Sequence, residues 1–234
     1  MRIVFLNTWV WNKREDIDTF IRGTKADIFC FQEVSLKIVK DLEKKLPGFN
    51  NVYHSGGILS EFEDEIGQAT FVKKEFPILG SSKVVTYKNK VDEIGFLLYT
   101  SIDLGKKKLF LGNVHGKVYP VNKLDVEERV SQSKNIIDFF ERKEGPRIIG
   151  GDFNLEIKTE SIKMFEDAGY ENLIKKFGIK NTRNRVSWRK LKKGQKKQHF
   201  ADYCFISSEV RVKDFEAPYM EISDHLPLIL DFEA

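Results

Sequence analysis

Short apolar runs bounded by polar or turn-forming residues recur along the whole chain. Runs of this kind, rich in β-branched and aromatic side chains, are typical of strands. The pattern predicts strands at residues 2–7, 27–32, 68–72, 94–100, 108–115, 147–152, 202–207, 210–215 and 227–232. We therefore expect a protein that is rich in β-sheet.

Apolar residues spaced three and four apart predict helices at residues 12–23, 35–46, 123–142 and 159–168. The clearest apolar face lies in the third of these segments and consists of Val126, Val130, Ile136, Ile137 and Phe140. Some of the predicted strands alternate with these helices, whereas those within residues 68–100 and 202–232 follow one another without an intervening helix. This mixture favours a sheet-rich, two-layer α/β (α+β) sandwich over a purely parallel, doubly wound sheet. No repeat or linker divides the chain, so we expect residues 1–234 to form a single domain.

Length and composition exclude several classes of protein. Of the 234 residues, 41% are hydrophobic and 19 are Phe, which excludes a disordered chain and a small disulfide-stapled protein. No apolar stretch approaches the ~18 residues of a membrane span, so we expect no membrane segment. The first residues have the pattern of a strand and not of a signal peptide. Cys30 and Cys204 lie in apolar runs, which favours free buried thiols and a cytoplasmic protein.

The charge is unevenly distributed. The net charge is only +4, yet the segment between Asn172 and Ala201 contains eleven Lys or Arg residues and no Asp or Glu. Two interpretations stay open at this point. The segment is either a solvated lysine-rich loop or a surface that faces the phosphates of a polyanion.

Polar side chains stand at the ends of six of the predicted strands. Single residues of this kind are usually unremarkable, but open sheets gather their functional sites at one rim, so a repeated pattern indicates a site. The clusters are LNTW at residues 6–9, FQE at 31–33, NVHG at 113–116, GDFN at 151–154, ADY at 201–203 and SDH at 223–225.

The residue types in these clusters favour metal-assisted attack by water on a phosphate. A hard divalent cation such as Mg²⁺ prefers oxygen ligands, which Glu33, Asp224 and the amide oxygen of Asn7 supply. The chain has no CxxC or HExxH spacing for zinc, no GxxxxGK[ST] loop for a nucleotide and no GxSxG elbow for a serine nucleophile.

The order of the six clusters resembles the endonuclease/exonuclease/phosphatase superfamily, which includes exonuclease III, deoxyribonuclease I and tyrosyl-DNA phosphodiesterase 2. The motifs run from Asn7 to His225 and so cover nearly the whole chain. The resemblance implies a four-layer α/β/β/α sandwich of two packed, mainly antiparallel sheets.

The resemblance also implies roles for the residues that match the superfamily's motifs. Asn7 lies at the metal and the phosphate, and Glu33 is the principal metal ligand. His115 binds the scissile phosphate; exonuclease III-type enzymes have Tyr at this place, which disfavours an abasic-site endonuclease. Asp152 orients or deprotonates the attacking water.

Four further residues complete the implied set. Asn154 holds the phosphate through its amide, and Asp224 lies near the metal. His225 stabilises the charged transition state, and Asp202 hydrogen-bonds to that histidine and holds its tautomer. On the helix after NVHG, Arg129 and Gln132 are candidates to support the site from behind.

We therefore predict a Mg²⁺-dependent phosphodiesterase, with Mn²⁺ as a substitute, that acts on nucleic acid or a nucleic-acid adduct. The alternatives are a phosphatase or phosphodiesterase for a phosphoinositide, a phospholipid headgroup or a small phosphoester, and a catalytically inactive phosphate-binding module. We expect a monomer with no protein partner. The residues predicted to contact nucleic acid are Arg183, Arg185, Trp188, Arg189, Lys190, Lys192, Lys193, Lys196 and Lys197.

Overall fold

The structure is a computed structural model that describes residues 1–59, 64–87, 94–189, 191 and 196–234. Within these residues the strands are β1 (Arg2–Asn7), β2 (Ile28–Ser35), β3 (Phe49–Leu59), β4 (Asp64–Lys73), β5 (Ile78–Val84), β6 (Phe96–Asp103), β7 (Lys108–His115), β8 (Arg147–Asp152), β9 (Glu171–Asn172), β10 (Asp202–Ile206), β11 (Arg211–Glu216) and β12 (Leu228–Glu233). The helices are α1 (Arg14–Thr24), α2 (Leu36–Lys45), α3 (Glu127–Glu141), α4 (Glu160–Asp167), α5 (Leu173–Lys176) and α6 (Arg185–Trp188).

The strands form two mixed sheets of six strands each. The first sheet has the order β11-β12-β1-β2-β4-β3, and the second sheet has the order β5-β6-β7-β8-β10-β9. The pairs β1–β2 and β7–β8 are parallel, and the other pairs of the described strands are antiparallel. The two sheets are therefore mainly antiparallel, as predicted.

Alternation of side chains places the first sheet between two apolar layers. Successive residues of a strand point to opposite faces. In β1, Ile3 and Phe5 pack with residues of the second sheet, whereas Val4 and Leu6 pack with helices α1 and α2. These two helices cover the outer face of the first sheet through Ile17, Phe20, Ile21, Val39 and Leu42.

Two glycines set the spacing around the second sheet. Gly112 of β7 lies under Phe140 of α3, and an added Cβ atom would stand 2.9 Å from its ring. Gly150 of β8 lies against Phe5 of the first sheet, where an added Cβ would stand 2.7 Å from the ring. Helix α4 packs beside α3. The layers are therefore helices, sheet, sheet and helices, which confirms the four-layer α/β/β/α sandwich that the resemblance implies. The two layers expected from the order of strands and helices alone are wrong, because each sheet packs one face on the other sheet and the opposite face on helices.

The predicted strands and helices are all present, with bounds that differ by a few residues at most of their ends. The pattern of apolar residues missed β3, β5 and β9, together with the one-turn helices α5 and α6. All three missed strands lie at an edge of their sheet, and every described residue of β3 is partly or fully exposed. An edge strand has less apolar surface to cover, so its sequence shows less of the apolar signal.

Two other expectations concern the cysteines and the membrane. Cys30 and Cys204 are free thiols with no exposed surface, as the apolar runs around them predict. None of the helices in the described part of the chain has both the length and the apolar character that crossing a bilayer requires.

Candidate active site

Five of the six polar clusters line one cavity, and the sixth, ADY, places Asp202 against His225. Because β1 and β2 are parallel, as are β7 and β8, Asn7 ends beside Gln32, and His115 ends beside Asp152. Asp202 opens the antiparallel strand β10 directly opposite Asp152. The cavity has a volume of about 540 Å³, and its lining includes Glu33, His115, Lys123, Asp152, Asn154, Arg183, Asp224 and His225.

Glu33 faces the cavity because β2 carries a bulge. The pairing of β2 with β4 shifts register between Gln32 and Val34, and Glu33 has a φ of 57°. A bulge leaves one residue out of the ladder and redirects its side chain. Thr8 Oγ1 donates to the carbonyls of Gln32 at 3.0 Å and Glu33 at 2.9 Å, which holds this conformation in place.

Asn7 holds the two central carboxylates together. Its Nδ2 donates to Glu33 Oε1 and to Asp152 Oδ2, both at 3.0 Å, and its Oδ1 accepts from the backbone N–H of Trp9 at 3.0 Å. The amide thus presents its nitrogen to the carboxylates, which reduces the repulsion between them. In this orientation its oxygen is already engaged, so the role of Asn7 as a metal ligand stays a prediction.

His225 makes its side-chain contacts with Asp202, and the predicted role of Asp202 in holding its tautomer stays a prediction. Its Nδ1 lies 2.9 and 3.0 Å from the two carboxylate oxygens of Asp202, which leaves Nε2 directed at Asp152 Oδ2, 3.7 Å away. Burial by itself lowers the pKa of His225, but the charges of Asp202 and Asp224 outweigh it and raise the pKa to about 9. The ring is therefore a cation at neutral pH, with one N–H available to an anion.

Asp152 lies at the centre of the site and is 1% exposed. Burial raises the pKa of its carboxyl group, but the positive charges of His225 and Lys123 more than offset burial and lower the pKa to about 2. Asp152 is therefore ionised at neutral pH. Its Oδ1 also accepts the backbone N–H of Asn154 at 2.8 Å.

His115 is buried at 1% exposure, yet neither of its ring nitrogens has a hydrogen-bond partner among the described residues. Its Nε2 lies 3.6 Å from Glu33 Oε1 and 4.0 Å from Asp152 Oδ2, beyond hydrogen-bond distance. Buried polar groups without partners are rare, and one that lines a cavity indicates a ligand. This geometry supports the predicted contact of His115 with a phosphate.

A metal ion fits the donor set of this cavity. Ligand atoms of Glu33, His115 and Asp152 lie within 4.8 Å of one another, and the two carboxylates are hard oxygen ligands of the kind that Mg²⁺ prefers. Asp224, the third predicted ligand, pairs through Oδ2 with Arg183 at 2.8 Å and belongs to neither of the acidic and histidine groups found in the described residues. Its role at a metal stays a prediction.

Lys123 is a site residue that sequence reasoning missed. It is 5% exposed, lines the cavity and donates from Nζ to Asn154 Oδ1. The loop that carries it is held by Arg129, which donates to the carbonyls of Lys117, Val118, Pro120 and Leu124. The predicted supporting role of Arg129 therefore has a structural basis. No motif singles out Lys123 in the sequence, because its burial depends on how this loop is folded.

A buried polar network connects the two sheets behind the cavity. Asn113 Oδ1 accepts from Gln32 Nε2 at 2.6 Å, and its carbonyl accepts from Gln68 Nε2 at 2.7 Å. Its Nδ2 donates to the carbonyls of Phe31 and Ala69 in the first sheet. This network sets the relative position of the strands that carry Glu33 and His115.

The basic segment lies partly at the cavity. Arg183 lines it and pairs with Asp224, and Arg185 and Arg189 both pair with Glu221. Trp188 donates from its indole nitrogen to the carbonyl of Gln198 at 2.9 Å, and its ring contacts His199 and Lys197. Lys196 and Lys197 are exposed. Lys190, Lys192 and Lys193 lie outside the described residues.

Several solved structures share the fold. An endonuclease/exonuclease/phosphatase from Bacteroides vulgatus is 20% identical, with a TM-score of 0.79 over 99% of this chain and 98% of that one. A mannosyl-6-phosphatase from Bacteroides thetaiotaomicron is 17% identical, with a TM-score of 0.73 over 100% of both chains. D. rerio TDP2 complexed with a single-strand DNA product is 15% identical, with a TM-score of 0.78 over 100% of this chain and 99% of that one.

A comparison with curated protein sequences finds no significant match. The sequence profile of the Endonuclease/Exonuclease/phosphatase family, in contrast, matches residues 5–225. This range begins in β1 and ends at His225, so it includes every predicted catalytic residue. The chain therefore belongs to the Endonuclease/Exonuclease/phosphatase family, whose members hydrolyse phosphoester bonds.

Proposed function

We propose that this protein is a divalent-metal-dependent phosphoester hydrolase in which water attacks phosphorus in line with the leaving group. The observation that carries the proposal is the position of the ionised Asp152. It is held by Asn7 on one side and faces His225 on the other, at the base of a cavity lined by further cations.

The residues of the chain divide the chemistry between them. Asp152 accepts a hydrogen bond from the attacking water and orients it, since a carboxylate of such low pKa is a weak base but a good acceptor. His225 donates from Nε2 to a phosphoryl oxygen as negative charge develops there, while Asp202 keeps its ring oriented. The attack forms one P–O bond to water and breaks the P–O bond to the leaving group, and the proton that the water loses passes through solvent to the leaving-group oxygen.

A divalent cation at Glu33 and Asp152 would act as a Lewis acid that neutralises charge on the phosphoryl oxygens. His115, with both ring nitrogens available, is suited to contact the same phosphate. Asn7 maintains the separation of the two carboxylates.

The substrate we propose is nucleic acid or a nucleic-acid adduct. Support comes from two exposed lysines, Lys196 and Lys197, which precede Gln198 of the cavity lining in the chain. It also comes from the likeness to D. rerio TDP2, which was solved with a single-strand DNA product. A small phosphoester is the second candidate. It is favoured by the pairing of Arg185 and Arg189 with Glu221, which leaves fewer cations for a polymer, and by the likeness to the mannosyl-6-phosphatase.

The test is an activity panel on the purified protein. Bis-p-nitrophenyl phosphate, nicked and 5′-modified DNA, a phosphoinositide and a sugar phosphate are incubated with Mg²⁺, Mn²⁺ or EDTA, and Asp152→Asn serves as the control for contaminating activity. We expect metal-dependent turnover that Asp152→Asn lacks. Absence of turnover on every phosphoester would contradict the proposal and favour a binding module.

Metal dependence is also tested by Glu33→Gln. The substitution keeps the shape of the side chain but removes its charge, so we expect weaker metal affinity and activity that excess Mg²⁺ partly restores. The measurement is the initial rate against Mg²⁺ concentration for both proteins. An equal loss at every Mg²⁺ concentration would show that Glu33 is not the principal ligand.

A further inference from the structure

Lys123 has an unusual environment for a lysine. Its side chain is buried, it lines the cavity, and among the described residues its ammonium makes one hydrogen bond, to Asn154 Oδ1. A protonated lysine carries three N–H donors. No carboxylate of the described residues lies within ion-pair distance of Nζ, so two of its donors are left for a ligand.

The burial of Lys123 is built into its loop. The residue adopts a φ of 57°, which is costly for a side chain with a Cβ atom, and its carbonyl accepts from the backbone N–H of Glu156 at 2.8 Å. Arg129 binds the loop on both sides of it, from Lys117 to Leu124. These contacts hold the ammonium inside the cavity at the expense of backbone strain and charge burial.

Asn154 has one amide N–H left for a phosphate contact. Its Nδ2 donates to the carbonyl of Gly116 at 3.2 Å, and its Oδ1 accepts from Lys123. Asn154 therefore orients the ammonium of Lys123, whose two remaining N–H donors add to the one that is left on the amide. His115 and Arg183 line the same cavity, so an anion there would meet several donors.

We propose that Lys123 is a catalytic residue that binds the non-bridging oxygens of the substrate's phosphoryl group. The inference rests on the proposed phosphoester hydrolysis. It gives a role in that reaction to the side chain of Lys123, which belongs to none of the sequence motifs. An oxygen that gains negative charge in the transition state would be stabilised by an ammonium already stripped of water and held in place. The ligand class is a tetrahedral oxyanion.

The charges around Lys123 agree with this role. Burial lowers the pKa of Lys123 to about 8, against the attraction of Asp152 and Asp202, while Arg183 and Arg129 lower it further. The amine is therefore mostly protonated at neutral pH. An anion in the cavity would favour the protonated form.

The experiment measures sulfate binding by calorimetry in the presence of Mg²⁺ at pH 6.5, where sulfate does not titrate. We expect Lys123→Met to weaken binding about 10- to 100-fold, as for other hydrogen bonds to charged groups. Lys123→Arg should retain most of the affinity. Lys117→Met is the matched control, because Lys117 is 3% exposed in the same loop but packs over Tyr87 and 3.9 Å from Glu128.

The melting temperature and the sulfate affinity together distinguish a lysine that binds the anion from one that only stabilises the fold. We expect the melting temperature of Lys123→Met to be unchanged or higher, because replacing a buried charge by an apolar side chain of similar volume is often stabilising. If Lys123→Met does not fold, Lys123→Gln, which keeps a polar contact to Asn154 without the charge, takes its place with the same expected loss of affinity. No sulfate binding by the unmodified protein, an unchanged affinity in Lys123→Met, or an equal loss in Lys117→Met would overturn the assignment. Sulfate binding that depends on Lys123 without turnover of any phosphoester would instead overturn the proposed hydrolysis.

Discussion

Several residues at the cavity adopt backbone conformations that are rare for L-amino acids. Glu33, Lys123 and Asn154 have φ values of 57°, 57° and 55°, and residues 9–11 form a left-handed turn at the end of β1. Each such residue costs on the order of 1–3 kcal/mol, so it persists only where surrounding contacts enforce it. Here the conformation directs the side chains of Glu33, Lys123 and Asn154 into the cavity. The site therefore reduces the stability of the fold that supports it.

The role of Asp152 is tested by Asp152→Asn. The amide keeps the size of the side chain but removes the charge that orients water, so we expect kcat to fall roughly 10²- to 10⁴-fold. Circular dichroism and the melting temperature should show an intact fold. A variant that retains more than about a tenth of the activity would exclude Asp152 as the residue that activates water.

The buried charge of Lys123 predicts a dependence of stability on pH. Its pKa falls from 10.5 in the unfolded chain to about 8 in the folded protein, which corresponds to about 3 kcal/mol of destabilisation when both states are protonated. Between pH 8 and 10.5 the unfolded state binds the extra proton, so this destabilisation is relieved as the pH rises. Urea unfolding measures the free energy of unfolding of both proteins at pH 7 and pH 10.5. We expect the increase in this free energy on going from the unmodified protein to Lys123→Met to be smaller at pH 10.5. An equal difference at both pH values would mean that Lys123 is not buried as a cation.

At the scale of elements, helix α3 supports the site from outside the cavity. Arg129 has no exposed surface, and its guanidinium donates to carbonyls along residues 117–124. Gln132, one turn later, accepts the backbone N–H of Lys117 at 3.2 Å. The loop has no regular secondary structure of its own, so α3 supplies the partners that its backbone lacks.

Arg129→Met tests this support. The substitution keeps apolar bulk but leaves several buried carbonyls without donors, so we expect the free energy of unfolding to fall by about 2–4 kcal/mol. Activity should fall as well, because Lys123 loses its position. Arg142→Met, at the exposed end of the same helix, is the control and should change stability by less than about 0.5 kcal/mol. Equal effects of the two substitutions would argue against this role of α3.

At the scale of the whole molecule, most of the chain is acidic, and the positive charge is concentrated between Asn172 and Ala201. The structure divides these cations into two groups. Among the described residues, one group pairs with carboxylates and consists of Lys175, Lys176, Arg183, Arg185 and Arg189, whereas Lys180, Lys196 and Lys197 make no ion pair. An unpaired exposed lysine can exchange its counterions for phosphates, and a paired arginine does so less readily.

This distribution predicts the salt dependence of nucleic-acid binding. In the inactive Asp152→Asn background, replacing Lys196 and Lys197 by Ser should reduce the slope of log affinity against log salt by about 1.5, since each phosphate contact contributes about 0.7–0.9. The readout is fluorescence anisotropy of a labelled single-stranded oligonucleotide. Lys106 and Lys107 lie in the turn of the β6–β7 hairpin, at the end of β7 that is opposite to His115. Replacing these two lysines by Ser should leave the slope unchanged. A common slope for all three proteins would assign the lysine run to a solvated loop.

The sequence by itself determined most of the strands and the rim of the site. The apolar run Ile3, Val4, Phe5 and Leu6 marks a strand without any knowledge of its neighbours, because strand-forming tendency is a local property. Polar residues at the ends of apolar strands likewise marked Asn7, Glu33, His115, Asp152, Asp202 and His225 without knowledge of their contacts.

Only the tertiary structure showed that β3, β5 and β9 form strands at the edges of the sheets. It alone also decided the orientation of Asn7, the pairing of the arginines and the burial of Lys123. Each depends on residues far apart in the chain: Asn7 on Glu33 and Asp152, and Lys123 on the loop that Arg129 holds. Hydrogen-bond partners and burial are properties of the packed chain, and a local pattern of apolar and polar residues does not contain them. For the same reason, the sequence marked the polar residues around the cavity, whereas only packing placed the side-chain ammonium of Lys123 beside Asn154.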